Sequence, residues 1–128
     1  MEAQAVLTRT AKIWLDADGI VRITSLPGAH ETLEDAQRTV ATVVTLAAKT
    51  PRPVLVDLRA IGSQSRDARQ YFGVQGAAAG VLGTAILAGS PVSRLVGNFF
   101  LGFGKPDRPA KLFTSEEDAL AWLKEFLN

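Results

Sequence analysis

The sequence predicts an α/β fold, a mixed sheet under a cover of helices, and three observations carry that prediction. Two short alternating segments meet at Asp18-Gly19, an almost unbroken apolar run stands mid-chain at Val54 to Leu58, and segments of helical periodicity separate the other short apolar runs. Alternation about a tight turn is the pattern of a β-hairpin. An unbroken apolar run suits a strand covered on both faces, and strands alternating with helices build parallel units. At 128 residues, one compact domain over 1–128 is expected.

Each element has its own signal. Lys12 to Asp16 puts Ile13 and Leu15 on one face, and Val21 with Ile23 repeats the pattern after the turn. Pro27-Gly28 closes the hairpin. Thr32, with Asp35 three residues later, resembles a capping box. Leu33, Ala36, Val40, Val43, Val44 and Ala47 then recur at intervals of three and four, which predicts an amphipathic helix that Pro51 and Pro53 bring to a stop. Val54 to Leu58 is the expected central strand. Ser65 is placed to cap a helix carrying Ala68, Tyr71 and Phe72, whereas Gly73, Gly76, Gly80 and Gly83 leave the following stretch unassigned.

Thr84 to Ala88 reads as a short strand, and Ser90-Pro91 supplies a capping serine with a first-turn proline. The helix that follows places Val92, Leu95, Val96, Phe99 and Phe103 on one face, with Phe100 and Leu101 off it. A helix apolar almost all round is buried or forms an interface. Lys105 to Pro109 is a turn, Ala110 to Thr114 a strand, and Ser115 opens a last helix packing Ala119, Leu123, Phe126 and Leu127. The expected order is β-β-α-β-α-β-α-β-α, with five strands in one mixed sheet and right-handed crossovers between its later strands.

Composition narrows the function. There is no cysteine and only one histidine, so disulfides are absent and soft metal sites lack ligands. No metal or cofactor is expected. Lys+Arg 14 against Asp+Glu 13 gives a net charge of +1, which offers no general attraction to nucleic acid or to an anionic membrane. The N-terminal residues lack a secretory pattern, and the weakly polar stretch from Gly76 to Gly89 is too short for a membrane helix. A cytoplasmic location follows as the expectation. Hydrophobic residues at 47% are abundant for so small a surface, which hints at a covered partner surface.

The order of elements, together with Val54-Leu55-Val56-Asp57-Leu58-Arg59-Ala60-Ile61, resembles the SpoIIAA-like (STAS-like) family that includes anti-sigma-factor antagonists. The segments Ser90 to Arg94, Gly97 to Gly102, Lys105-Pro106 and Leu112 to Thr114 are similar to uncharacterised bacterial members of that group. In the antagonists, the resemblance implies, a serine at a helix start after the central strand is phosphorylated to release a partner kinase. An ungapped match from Asp57 puts Arg66 at that place, with Asp67 and Ala68 after it, so the switch residue is missing. A shift of two residues makes Ser63 or Ser65 the acceptor, beside Arg66 and Arg69. Serving simply as a helix cap is the competing role for Ser65.

Catalytic chemistry finds little support. His30 has no visible serine elbow to work with, the glycines before Lys105 do not have phosphate-loop spacing, and no carboxylate pair stands out. The chain is expected not to be an enzyme. One constellation remains, because ligands in open α/β sheets bind beyond the carboxyl ends of the strands. Asp57, Arg59, Ser63, Ser65, Arg66, Ser90, Ser93 and Arg94 fall there and form a candidate site for a small anionic or acyl ligand. Val96, Phe99, Phe100 and Phe103 form a candidate interface. The first expectation is a non-enzymatic regulatory module that works through a protein partner, a homodimer or both. An anion or acyl pocket is the alternative, and a serine hydrolase ranks last.

Overall fold

A computed structural model describes residues 5–75, 80–102 and 104–127. In chain order its elements are β1 (Val6–Leu7), β2 (Ala11–Leu15), β3 (Val21–Ser25), β4 (His30–Glu31), α1 (Leu33–Ala47), β5 (Arg52–Asp57) and β6 (Ser63–Gln64). They continue with α2 (Arg66–Gln75), β7 (Val81–Leu87), α3 (Pro91–Leu101), β8 (Ala110–Phe113) and α4 (Glu116–Lys124), which runs into a 3₁₀ turn at Glu125–Leu127. The main sheet has the order β1-β2-β3-β5-β7-β8. Its first three strands pair antiparallel and the rest parallel.

The five expected strands are all present, and the interior place of β5 is as the apolar run predicts. The sixth strand is a correction. Val6 pairs with Ile13 and Leu7 with Lys12, but two residues are too few to show a period of two. The hairpin turn is built by Asp16, whose Oδ1 accepts from the N–H groups of Asp18 (2.9 Å) and Ile20 (3.0 Å), with Gly19 at φ 93°. Helix α1 opens with the predicted capping box at Thr32 and Asp35. It ends before the prolines, on Ala48 and Lys49 in the left-handed region. Pro53 lies buried within β5, where a register irregularity between Arg52 and Pro53 accommodates a residue that cannot donate to the ladder.

Strand alternation divides the core in two. Val54, Val56 and Ile86 join Val43 of α1 and Val96 of α3 in one apolar cluster. Leu55, Ala85 and Leu87 point the other way, against Ala119 and Leu123 of α4. That two-sided burial explains why β5 is apolar at nearly every position. On the α4 side, Phe113, Trp122 and Phe126 pack in sequence, the first pair tilted and the second edge-to-face, with ring centroids 5.7 and 5.0 Å apart. The Phe126 ring rests on Gly83, where a Cβ would come within 2.7 Å of it.

Helix α3 is turned differently from the expected orientation. Ser93, Val96 and Gly97 face the sheet, and Gly97 lies so close that a Cβ would come 3.0 Å from Leu112. Phe100 and Leu101 pack half-buried against the core, while Val92, Leu95 and Phe99 are exposed. The large side chains thus flank a seam of small ones, because only small residues permit so close an approach of helix to sheet.

Candidate functional site

Beyond the carboxyl ends of the parallel strands, the charged residues satisfy one another. Asp57 accepts from the Arg59 backbone N–H (3.0 Å) and holds the guanidinium at two points, Nε to Oδ1 at 3.0 Å and Nη2 to Oδ2 at 2.8 Å. Arg59 also reaches Glu116 at 3.3 Å, and Arg22 spans Asp16 (3.5 Å) and Glu116 (3.2 Å). Hydrogen bonding to Asp57, opposed by burial and aided by the charges of Asp57 and Glu116, raises the Arg59 pKa above its usual value. At the strand ends two cations, Arg22 and Arg59, stand with two carboxylates, Asp57 and Glu116, and Arg22 also reaches back to Asp16 at the hairpin turn, so the network holds no surplus positive charge to draw in an anion.

The serines in this region are engaged in local structure. Ser65 Oγ accepts from the Ala68 N–H at 3.1 Å and caps α2. Ser90 Oγ accepts from the Ser93 N–H at 3.0 Å, and Ser93 Oγ accepts from the N–H groups of Gly89 (2.9 Å) and Ser90 (2.8 Å). Ser93 is fully buried by that arrangement. Arg66 and Arg94 stand exposed in the first turns of α2 and α3, apart from the Asp57 network. Of the expected interface residues, Val96 is in the core and Phe100 packs on Phe72 at 5.3 Å, which leaves Phe99 exposed. Phe103 lies outside the described residues.

A second feature was not legible in the sequence. Strands β4 and β6 pair parallel, joining His30 to Ser63 and Glu31 to Gln64. Around them the Gly28 N–H donates to Ala60 O (2.8 Å), the N–H groups of Gly62 and Ser63 to Ala29 O (2.8 and 3.0 Å), and that of Ser65 to Glu31 O (2.9 Å). The result is a backbone clasp between two loops. His30 Nδ1 lies 2.7 Å from Ser63 Oγ, an exposed pair with no carboxylate on the far side of the ring among the described residues. Gln64 Nε2 donates to Glu31 Oε1 at 2.7 Å. Burial pushes the Glu31 carboxyl up, the Gln64 hydrogen bond opposes the shift, and the charge of Asp35 adds to it.

Arg9 ties the first loop to the clasp. Its Nη2 donates to His30 O at 2.9 Å, its Nε donates to Asp35 Oδ1 at 3.1 Å, and its Nη2 pairs with Asp35 Oδ2. Burial alone would raise the Asp35 pKa, but hydrogen bonds from Arg9 and Thr32, with the Arg9 charge, lower it overall. Among the described residues no group of three His, Cys, Asp or Glu could hold a metal ion, and no helix is long and apolar enough to cross a membrane.

The profile of DUF7793, described as a domain of unknown function, matches residues 13–127. The chain belongs to the DUF7793 family. Among solved structures, this DUF7793 chain is similar to an uncharacterised protein of the DUF3478 family with a SpoIIAA-like fold from Shewanella loihica PV-4. That likeness has a TM-score of 0.67 at 18% identity and covers 94% of this chain and 99% of the other. It extends to the fold alone, so the SpoIIAA-like architecture expected from the sequence is present here. The chain is also similar to a protein of unknown function from Arthrobacter sp. FB24, at 39% identity, a TM-score of 0.36, and coverage of 92% and 95% of the two chains. No curated protein matches the DUF7793 chain.

Proposed function

We propose that this DUF7793 chain is a non-enzymatic, cytoplasmic regulatory module that acts through protein contacts made by α3. The exposed ridge on that helix carries the reading. Val92 (41% exposed), Leu95 (61%) and Phe99 (41%) fall three and four residues apart and present one apolar face to solvent. Their exposure follows from the seating of α3, since Ser93, Val96 and Gly97 take the core-facing positions. Helix α3 carries Arg94 and no acidic side chain, and the Arg69 guanidinium of α2 lies 4.2 Å over the Phe99 ring. The ridge is therefore apolar with a basic margin.

A second copy of the chain is the first occupant to test, because an isologous pairing buries the same apolar face on both partners. Serines committed to helix caps, and a His30–Ser63 pair without an orienting carboxylate, support a role outside catalysis. Light scattering after gel filtration at high micromolar concentration should give the mass of a dimer. Leu95→Glu and Phe99→Glu should give folded monomers whose thermal midpoint no longer rises with protein concentration, as that of a dimer does. A wild-type monomer across the concentration range would remove self-association, and a dimer that persists in both variants would move the contact away from α3.

A further inference from the structure

Between the sheet and the three helices on its α1 side lies a cavity of about 120 Å³. The strand register gives it two ends. Ile23 pairs with Val56, so Ser25, Glu31 and Leu58 lie toward the carboxyl ends of the strands; Thr84 pairs with Val54 and Ala110, so those residues and Arg108 lie toward the amino ends. Val43, Val54, Val56, Phe72 and Phe100 supply apolar wall.

One polar atom stands out. Helix α1 carries three threonines on successive turns, and two of them, half-buried Thr42 and exposed Thr45, turn their hydroxyls onto Arg38 O (2.7 Å) and Ala41 O (3.1 Å) of their own helix. Thr39 does not. It is 2% exposed, lines the cavity, and its Oγ1 has no hydrogen-bond partner. Buried hydroxyls are ordinarily paired, since leaving one unpaired forfeits its hydration without return. Ser25, 8% exposed, and Glu31 line the same cavity.

We propose that this cavity binds a small uncharged amphiphile, a single ring or short chain bearing one hydroxyl, with its hydroxyl on Thr39, whose closed-off Oγ1 a rotation about χ1 turns into the space, and its apolar body against Val43, Val54 and Phe72. Size supports a single ring, because a dry apolar cavity of about 150 Å³ in another protein accepts benzene. Polarity supports one head group, because one unpaired hydroxyl lies in a wall that is otherwise mostly apolar. Charge excludes an anionic head at the carboxyl-end side, where the Glu31 carboxyl sits. Arg108, at the other end, lies 3.8 Å from Asp107. The site differs from the anion site expected beyond the strand ends, and it is separate from the α3 ridge.

Methyl-resolved NMR titration of the full chain with phenol, benzene and benzoate tests the assignment. Phenol should shift the methyl signals of Val43, Val54 and Val56 saturably and more tightly than benzene. Thr39→Val, close in shape, should weaken phenol by about tenfold while leaving benzene as tight or tighter. Val43→Phe should abolish binding of both by filling the space, and Thr39→Val carries the test if that variant does not fold. Absence of saturable shifts up to the solubility limit of phenol, as for a cavity that holds solvent alone, would overturn the proposal. So would equal phenol affinity in Thr39→Val, or preference for benzoate, which would place an anionic head at Arg108.

Discussion

Gly62→Ala probes the loop clasp with a sign that only a tight contact can produce. The backbone of Gly62 is not in the left-handed region, so alanine meets no conformational obstacle there. At such a position the substitution ordinarily stabilises by about 0.4–1 kcal/mol, because it restricts the unfolded chain. A Cβ on Gly62, however, would lie 2.6 Å from the Gly28 carbonyl oxygen and 2.8 Å from its carbon. Both obstacles are backbone, which cannot rotate away. Relief requires the two loops to part, stretching at least Gly28 N–H to Ala60 O and Gly62 N–H to Ala29 O, both now 2.8 Å. Two backbone hydrogen bonds at about 1 kcal/mol each, with about 1 kcal/mol of strain, outweigh the entropic gain and leave a net loss of about 2 kcal/mol. Urea unfolding followed by the fluorescence of Trp14 and Trp122 should show a midpoint lower by about 1 M, and the thermal midpoint should fall by about 8 °C. Hydrogen exchange at the Ser63 and Ser65 amides should quicken beyond the global change. Gly28→Ala is the control, since it has φ 70° but no atom within 4 Å; its cost, about 1 kcal/mol, is conformational and should leave that exchange pattern intact. A Gly62→Ala protein as stable as wild type, or more so, would refute the clasp.

Leu123→Ala, at a fully buried site under α4, should cost about 3 kcal/mol in urea unfolding and leave ligand binding in the cavity across the sheet unchanged. The two carboxyls near the clasp should show opposite pH signatures in urea midpoints taken from about pH 3 to 7. Asp35 has a lowered pKa, so its contribution is complete above the ordinary carboxylate range and is lost as pH falls through the lowered value; Asp35→Asn should cost about 1–2 kcal/mol at neutral pH, and the deficit should shrink on acidification. Glu31 has a raised pKa, so the wild type loses stability as pH rises through it; Glu31→Gln should gain on wild type between acid and neutral pH, and a pH-independent difference would contradict its burial.

Local rules account for much of this protein, and they do so where neighbours along the chain are enough. The capping box of Thr32 and Asp35, the cap of Ser65 on Ala68, and the Ser90-Pro91 start of α3 each involve groups within three residues of one another, so the residues themselves announce them. The same holds for the hairpin turn at Asp16 to Ile20 and for β5, whose unbroken apolar character reflects burial on two faces. The fold class followed from these signals.

What lay beyond the sequence depends on distance through space. Pairing of His30 with Ser63 and of Glu31 with Gln64 crosses 33 residues through strands of two residues each, too short to carry a period. The seating of α3 was equally hidden, because a helix apolar almost all round does not say which face meets the sheet; the small residues Ser93 and Gly97 decide it by allowing close approach, and so leave Leu95 and Phe99 in solvent. Arg59 and Asp57 attracted attention as site residues on sequence grounds, yet the fold brings Glu116 and Arg22 to the same place and the charges neutralise one another. Periodicity and capping are properties of the chain and can be read along it. Cavities, clasps and charge balance belong to surfaces that meet only after folding, and Thr39 becomes distinctive only once the walls around its hydroxyl are in place.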